Sequence, residues 1–188
     1  LSGRIIDRIG VRAGFTIAVV VWSIGAMAHA FADKMPWLRL PTVSIDPPQV
    51  LLLGGAAAGL ALSRVILGLG EAGNFPASIK AVAEWFPKKD RAFATGIFNA
   101  GTNVASMVGP PIFVFMAARY GWRTCFFVTG SAGFLLALIW WVVYRLPEMH
   151  RSVGQGELAY IRSDSGQDGG VPKIGWVAAL RYKQTWGF

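Results

Sequence analysis

The chain has 188 residues, 54% hydrophobic and only 15% charged, with a mean hydropathy of +0.47, whereas a soluble domain carries about 25% charged residues. The net charge of +8 comes from basic residues lying between apolar stretches, not on one patch. That pattern sets membrane orientation and argues against a nucleic-acid partner. A single cysteine, Cys125, excludes an intrachain disulfide and any multi-cysteine metal site; beside Phe126 and Phe127 it reads as a small packing residue.

The chain opens at Leu1 without a charged leader or cleavage site, so no signal peptide is expected, and both ends read as cuts through something longer. Residues 1–13 read as a basic loop. Four apolar stretches follow, at about 14–32, 57–85, 93–118 and 122–144. Each can cross about 30 Å of hydrocarbon, which takes roughly 20 helical residues. The first connection, Asp33 to Gln49, carries Pro36, Pro41, Pro47 and Pro48 and should be extended and external. The second, Pro87 to Ala92, and the third, Arg119 to Gly121, are short. From Arg145 the chain is polar, and Leu146 to Gly170 reads as a flexible Gly/Ser-rich linker in which Glu157 to Arg162 can form one amphipathic turn. From Val171 apolar and aromatic residues return, as on the approach to a further span.

Near-continuous apolar runs are unlike the ten-residue alternation of barrel strands, so the predicted class is an all-α membrane protein in a lipid bilayer. Lys and Arg set its sidedness. Arg4, Arg8, Arg12, Lys88, Lys89, Arg91, Arg145, Arg151 and Arg162 fall on one side, with Lys173, Arg181 and Lys183; Lys34, Arg39, Arg119 and Arg123 fall on the other. The first side is expected to be cytoplasmic.

Arg64 and Glu71 lie within the second stretch. Seven residues are two helical turns, so both side chains leave one face, about 10 Å apart along the axis. Charges at this depth cost about 3 kcal/mol each on insertion scales and mark ion or solute pathways by default. A guanidinium can fork onto a carboxylate, and a carboxylate in a low-dielectric cavity can load and release a proton. A structural ion pair between helices is the alternative. Asn99, Thr102, Asn103 and Ser106 form a polar stripe at helical spacing, and Asn74 is a similar polar group. Such residues either join helices by hydrogen bonds or recognise the hydroxyls of a solute.

Gly68-Leu69-Gly70-Glu71-Ala72-Gly73 matches a dinucleotide fingerprint, but an apolar helix, not a strand, is expected before it. Gly55, Gly59, Gly68, Gly70 and Gly73 are better read as sites of close helix contact. Lys80 and Glu84, four apart, are expected to pair at a helix end, and His29 to pack near the outer end of its span. Gly109-Pro110-Pro111 should bend the third span. No nucleophile–base set or metal cluster is evident, so neither an enzyme nor a cofactor is expected.

Gly3-Arg4-Ile5-Ile6-Asp7-Arg8-Ile9-Gly10-Val11-Arg12 resembles the G-x3-D-R-x-G-x-R loop between the second and third spans of major facilitator transporters, with agreement at Gly3, Asp7, Arg8, Gly10 and Arg12. Glycines there allow a tight turn, and Asp7 can sit at the positive N-terminus of a helix from the other half. The stretch from Arg64 to Pro76, then Ala83-Glu84-Trp85-Phe86-Pro87 and Arg91, is similar to the anion:cation symporters of that superfamily, especially the bacterial hexuronate transporters. Phe98-Asn99-Ala100-Gly101, Pro110-Pro111, Gly121-Trp122 and Gln184-Thr185-Trp186-Gly187-Phe188 continue the likeness over nearly the whole chain.

The resemblance implies the third to sixth spans of a twelve-helix, two-half fold in a bacterial inner membrane. Residues 1–13 would be a cytoplasmic loop, 14–144 four spans, and 145–188 the central loop and the start of the seventh span. It implies carboxylate binding or gating at Arg64 and proton coupling at Glu71, with Asn74, Asn99, Thr102 and Asn103 completing the substrate site. Gly3, Asp7, Arg8, Gly10 and Arg12 would form a gating motif. The expected partners are a small organic anion, protons and the remainder of the same transporter. Some aldonate and aldarate carriers have Gln where Thr102 stands, which leans the chain toward hexuronates.

Overall fold

The computed structural model describes residues 2–34, 39–45 and 48–163. In chain order these form α1 (Ser2–Ile9), α2 (Val11–His29), a 3-10 turn (Ala32–Lys34), β1 (Arg39–Ile45), β2 (Pro48–Gly54), α3 (Gly55–Trp85), α4 (Lys88–Tyr120), α5 (Trp122–Val143), a second 3-10 turn (Pro147–Met149) and α6 (Gln155–Ile161). The helices α2, α3, α4 and α5 are each long and apolar enough to cross a membrane. The expected all-α membrane class holds for everything at that depth.

Helix α2 packs between α3 and α5, and α4 lies against α5 and α3 more sparsely. In lipid there is no hydrophobic drive between helices, so close packing of small residues has to supply the attraction. Gly25 faces Leu67, Gly59 faces Ala32 and Gly70 faces Trp22, each so near that an added Cβ would fall within 2.4 Å of the opposing backbone. Gly130 and Gly133 of α5 leave room instead for side chains of α2, those of Met27, Trp22 and Ser23. The buried hydroxyls on these faces cost nothing unpaired. Ser23 donates to the Val19 carbonyl at 2.7 Å and Ser63 to the Gly59 carbonyl at 2.8 Å.

Not every glycine serves this purpose. Gly55 and Gly68, expected as contact residues, have open space around them. Gly10 (φ 82°) and Gly121 (φ 86°) instead form single-residue joints before α2 and between α4 and α5, in backbone that other residues adopt at a cost.

At the arginine-rich end Ile6, Val11, Ala77 and Tyr144 are buried together, with Phe15, Trp85 and Trp140 packed against them. The rings of Phe15 and Trp140 lie 4.4 Å apart, and Trp140 stacks on Tyr144 at 4.3 Å.

Three expectations about the connections need correction. Residues 2–9 are helix α1, not loop: Ile6 projects into the core, and Gly10 N–H closes the helix on Ile6 O at 2.9 Å. The connection expected over Pro87 to Ala92 shrinks to Phe86 and Pro87, because Pro87 caps α4 and Asp90 suits its positive first turn.

The connection expected to be extended and external is extended in part, as an antiparallel ribbon with Arg39 opposite Gly54 and Ile45 opposite Pro48. Val43, Ile45 and Val50–Leu53 favour strand, and prolines are tolerated because both strands are edges. The segment expected as a flexible linker is helical over Pro147–Met149 and Gln155–Ile161. It is tied down: Arg162 pairs with Glu148, and Tyr160 Oη donates to Asp90 Oδ2 at 2.7 Å. The expected approach to a further span, from Val171 onward, lies outside the described residues.

Candidate functional site

Helix α3 has two unlike faces. Ala58, Gly59, Ser63, Gly70, Gly73 and Ala77 are buried against neighbouring helices. Arg64, Gly68, Glu71 and Phe75 are exposed on the opposite face. Their spacing of four, three and four residues keeps them in one stripe. Gly68 sits between the two charged residues, and a Cβ added there would meet nothing within 4 Å. A gap therefore separates guanidinium from carboxylate, open on its outer side. The ring of Phe75 meets Phe98 of α4 edge-on at 5.8 Å, closing one end of the stripe.

Proton loading at Glu71 calls for a low-dielectric cavity around it. Among the described residues Arg64 and Glu71 are exposed instead, and neither makes an ion pair or hydrogen bond. The physical reason is that α2 packs on the glycine face of α3, while α4 meets the opposite face only sparsely, with Phe98 on Phe75. Asn99, Thr102, Asn103 and Ser106 are exposed along α4. Ser106 donates to the Thr102 carbonyl at 2.9 Å, so its proton is already used within the helix. Asn74 turns away from the Arg64 stripe. It is half-buried, and its Oδ1 is buried without a hydrogen-bond partner.

The motif around Asp7 forms a clasp at the arginine-rich end. Lys80 Nζ donates to Asp7 Oδ1 at 2.8 Å. Arg12 Nε donates to the Trp141 carbonyl at 2.8 Å, and its guanidinium lies 4.5 Å from the centre of the Trp141 ring. Gly10 provides the turn between them. Gly3 lies within α1 and Arg8 is exposed. So the anticipated turn role belongs to Gly10, and the partner of Asp7 among the described residues is Lys80.

That contact also overturns the Lys80–Glu84 pairing. Glu84 instead accepts a hydrogen bond from Tyr144 Oη. Tyr144 lies just past the end of α5, and burial first, then the Glu84 carboxylate, push its phenol above its ordinary range. It therefore stays a donor.

Several contacts were not read from the sequence. Arg91 donates from Nε to the Phe86 carbonyl at 3.0 Å and from Nη2 to the Ala83 carbonyl at 2.9 Å, capping the end of α3 from the first turn of α4. At the opposite end Arg123 pairs with Asp33 and donates to the Ala30 carbonyl at 3.2 Å. A basic residue a few positions after a helix-ending proline was the available signal for Arg91. For Arg123, partnered 90 positions away, the sequence held none. His29 is buried, with Nδ1 bound to Gly25 O at 2.6 Å and its ring stacked on Phe126. Cys125 is half-buried, its thiol aimed at the Phe113 carbonyl of α4. Among the described residues no three His, Cys, Asp or Glu side chains gather as a metal site would require.

The chain is similar to a galacturonate transporter of Dickeya chrysanthemi, at 28% identity over all of the chain and 49% of the relative. It is 28% identical to a hexuronate transporter of Escherichia coli strain K12, over all of the chain and 39% of the relative. A D-galactonate transporter of Escherichia coli O6:H1 is 30% identical over 91% of the chain and 35% of the relative. The chain thus spans half or less of the length of these relatives. The family profile described as Major Facilitator Superfamily matches residues 1–188. With four helices fit to cross a bilayer and that match over its whole length, the chain is an integral membrane protein and belongs to the Major Facilitator Superfamily.

Proposed function

We propose that the protein carries an organic anion, a hexuronate such as galacturonate or glucuronate, inward together with protons by alternating access. The observation that carries this reading is the Arg64–Gly68–Glu71 stripe: a cation and an acid two turns apart, on the face of α3 left open, with a gap between them. Two relatives named for galacturonate and hexuronate transport support the substrate class.

Each residue has a distinct task in this scheme. Arg64 forks onto the substrate carboxylate, which a planar bidentate donor matches better than an ammonium does. Asn99, Thr102 and Asn103 of α4 are exposed and offer donors and acceptors to sugar hydroxyls.

Glu71 takes up a proton once the rest of the carrier encloses this face, and its neutral form lets the loaded carrier change orientation. Asp7–Lys80 and Arg12–Trp141 hold the arginine-rich end closed in one of the two orientations. That end is cytoplasmic by its excess of Lys and Arg, in a bacterial inner membrane.

The test is Glu71→Gln in the protein reconstituted in vesicles. Proton-driven uptake should vanish while exchange of pre-bound substrate continues; intact proton-driven uptake overturns the coupling role. Relatives named for D-galactonate and for galactarate/D-glucarate transport favour a second substrate class, aldonates or aldarates. Competition by a panel of sugar acids separates the two.

A further inference from the structure

Just beyond α5 the chain builds a cleft that no step of the transport scheme uses. Its lining is Val142, Val143, Arg145, His150 and Arg151, around a volume of about 360 Å³. Two features stand side by side. Val142 and Val143 are exposed at 60% and 61%, on the last turn of a helix long and apolar enough to cross a membrane. Arg145 and Arg151 are exposed immediately past that turn, and neither makes a hydrogen bond or ion pair among the described residues. The acid nearest in sequence, Glu148, is already committed to Arg162.

His150 adds a third polar group. Its Nδ1 accepts from the Ser152 N–H at 3.4 Å, and its ring is held edge-on against Trp85. The 3-10 turn Pro147–Met149 folds His150 and Arg151 back toward the α5 terminus. The cleft thus has an apolar lower wall and a positive rim, with its nearest acid neutralised elsewhere.

We propose that this cleft binds the headgroup of an anionic diacyl phospholipid. The phosphodiester lies between Arg145 and Arg151, and one acyl chain runs down Val142 and Val143. Charge complementarity selects the anion, and the exposed valines select a lipid over a free phosphate. The site is distinct from the Arg64 stripe, which lies on α3 away from this end.

The experiment uses the purified protein in phosphatidylcholine nanodiscs and follows a fluorescent-tailed phosphatidylglycerol as it binds. Unlabelled phosphatidylglycerol should displace it, whereas phosphatidylcholine and inorganic phosphate at equal concentration should not. Arg145→Gln and Arg151→Gln should each weaken binding about fivefold, the usual worth of one arginine near an anionic surface. Arg119→Gln, at the opposite end, should leave it unchanged.

Both arginines lack partners among the described residues, so neither substitution removes a contact described there, and Arg145→Lys keeps the charge as a folding control. Equal displacement by phosphatidylcholine, or unchanged affinity in both glutamine variants, overturns the proposal. Displacement by inorganic phosphate alone assigns a free-anion site and overturns the lipid reading.

Discussion

Lys80 and Asp7 lie 73 positions apart in the chain, yet their side chains meet at 2.8 Å and fasten α1 to the last third of α3. The pair is solvent-accessible, with side chains 30% and 68% exposed, so its Coulomb energy is largely screened. Asp7→Asn should therefore cost less than about 1 kcal/mol of stability. If the pair holds one end of a moving carrier shut, uptake should fall several-fold all the same. A double-mutant cycle with Lys80→Gln, read both by thermal unfolding and by uptake, checks this; coupling in stability alone would leave the contact purely structural.

Gly70 and Gly68 make a controlled comparison two residues apart. A methyl on Gly70 would fall 2.3 Å from the Trp22 backbone nitrogen, whereas one on Gly68 meets nothing. Gly70→Ala should destabilise by about 1–3 kcal/mol, because two packed backbones have to separate. Gly68→Ala should be neutral for folding. Gly68→Leu should also fold but lose uptake, since its side chain fills the gap between Arg64 and Glu71. Wild-type transport by Gly68→Leu would show that no solute uses that gap.

Arg64 should recognise charge. Arg64→Ala is expected to weaken binding of the sugar acid far more than binding of its amide, and Arg64→Lys should restore only part of the loss. Isothermal titration with both ligands decides the point, and equal losses for acid and amide argue against carboxylate recognition.

Arg91 satisfies two carbonyls at the end of α3. Arg91→Met keeps much of the stem but leaves both oxygens without that donor. It should cost about 1–3 kcal/mol and speed amide hydrogen exchange over the last turn of α3. Unchanged exchange there would mean that water replaces the cap freely.

The parts of the fold that were legible in the sequence are those set by composition over long windows. Apolar runs of span length mark the membrane helices, and a spacing of seven puts Arg64 and Glu71 on one stripe. What escaped was set by partners distant in the chain. Glu84 is four residues from Lys80, an ordinary helical pair, but Tyr144 from α5 reaches Glu84, and α1 presents Asp7 to Lys80. The glycines of residues 1–13 suggested a loop, although Ile6 and Val11 had a core to enter. The prolines around residues 36–48 hid a ribbon because a two-stranded sheet has only edges to offer.

Helix α4 has a single buried residue, Ala94, in its 33 residues. Its connection to α3 is only Phe86 and Pro87, stapled by Arg91, and Gly121 joins it to α5. A rod pivoted at both ends and gripped by almost nothing along its length can rock without tearing apart the bundle beside it. Among the described residues, α4 is therefore the member whose displacement is cheapest. The polar stripe of Asn99, Thr102 and Asn103 travels with it.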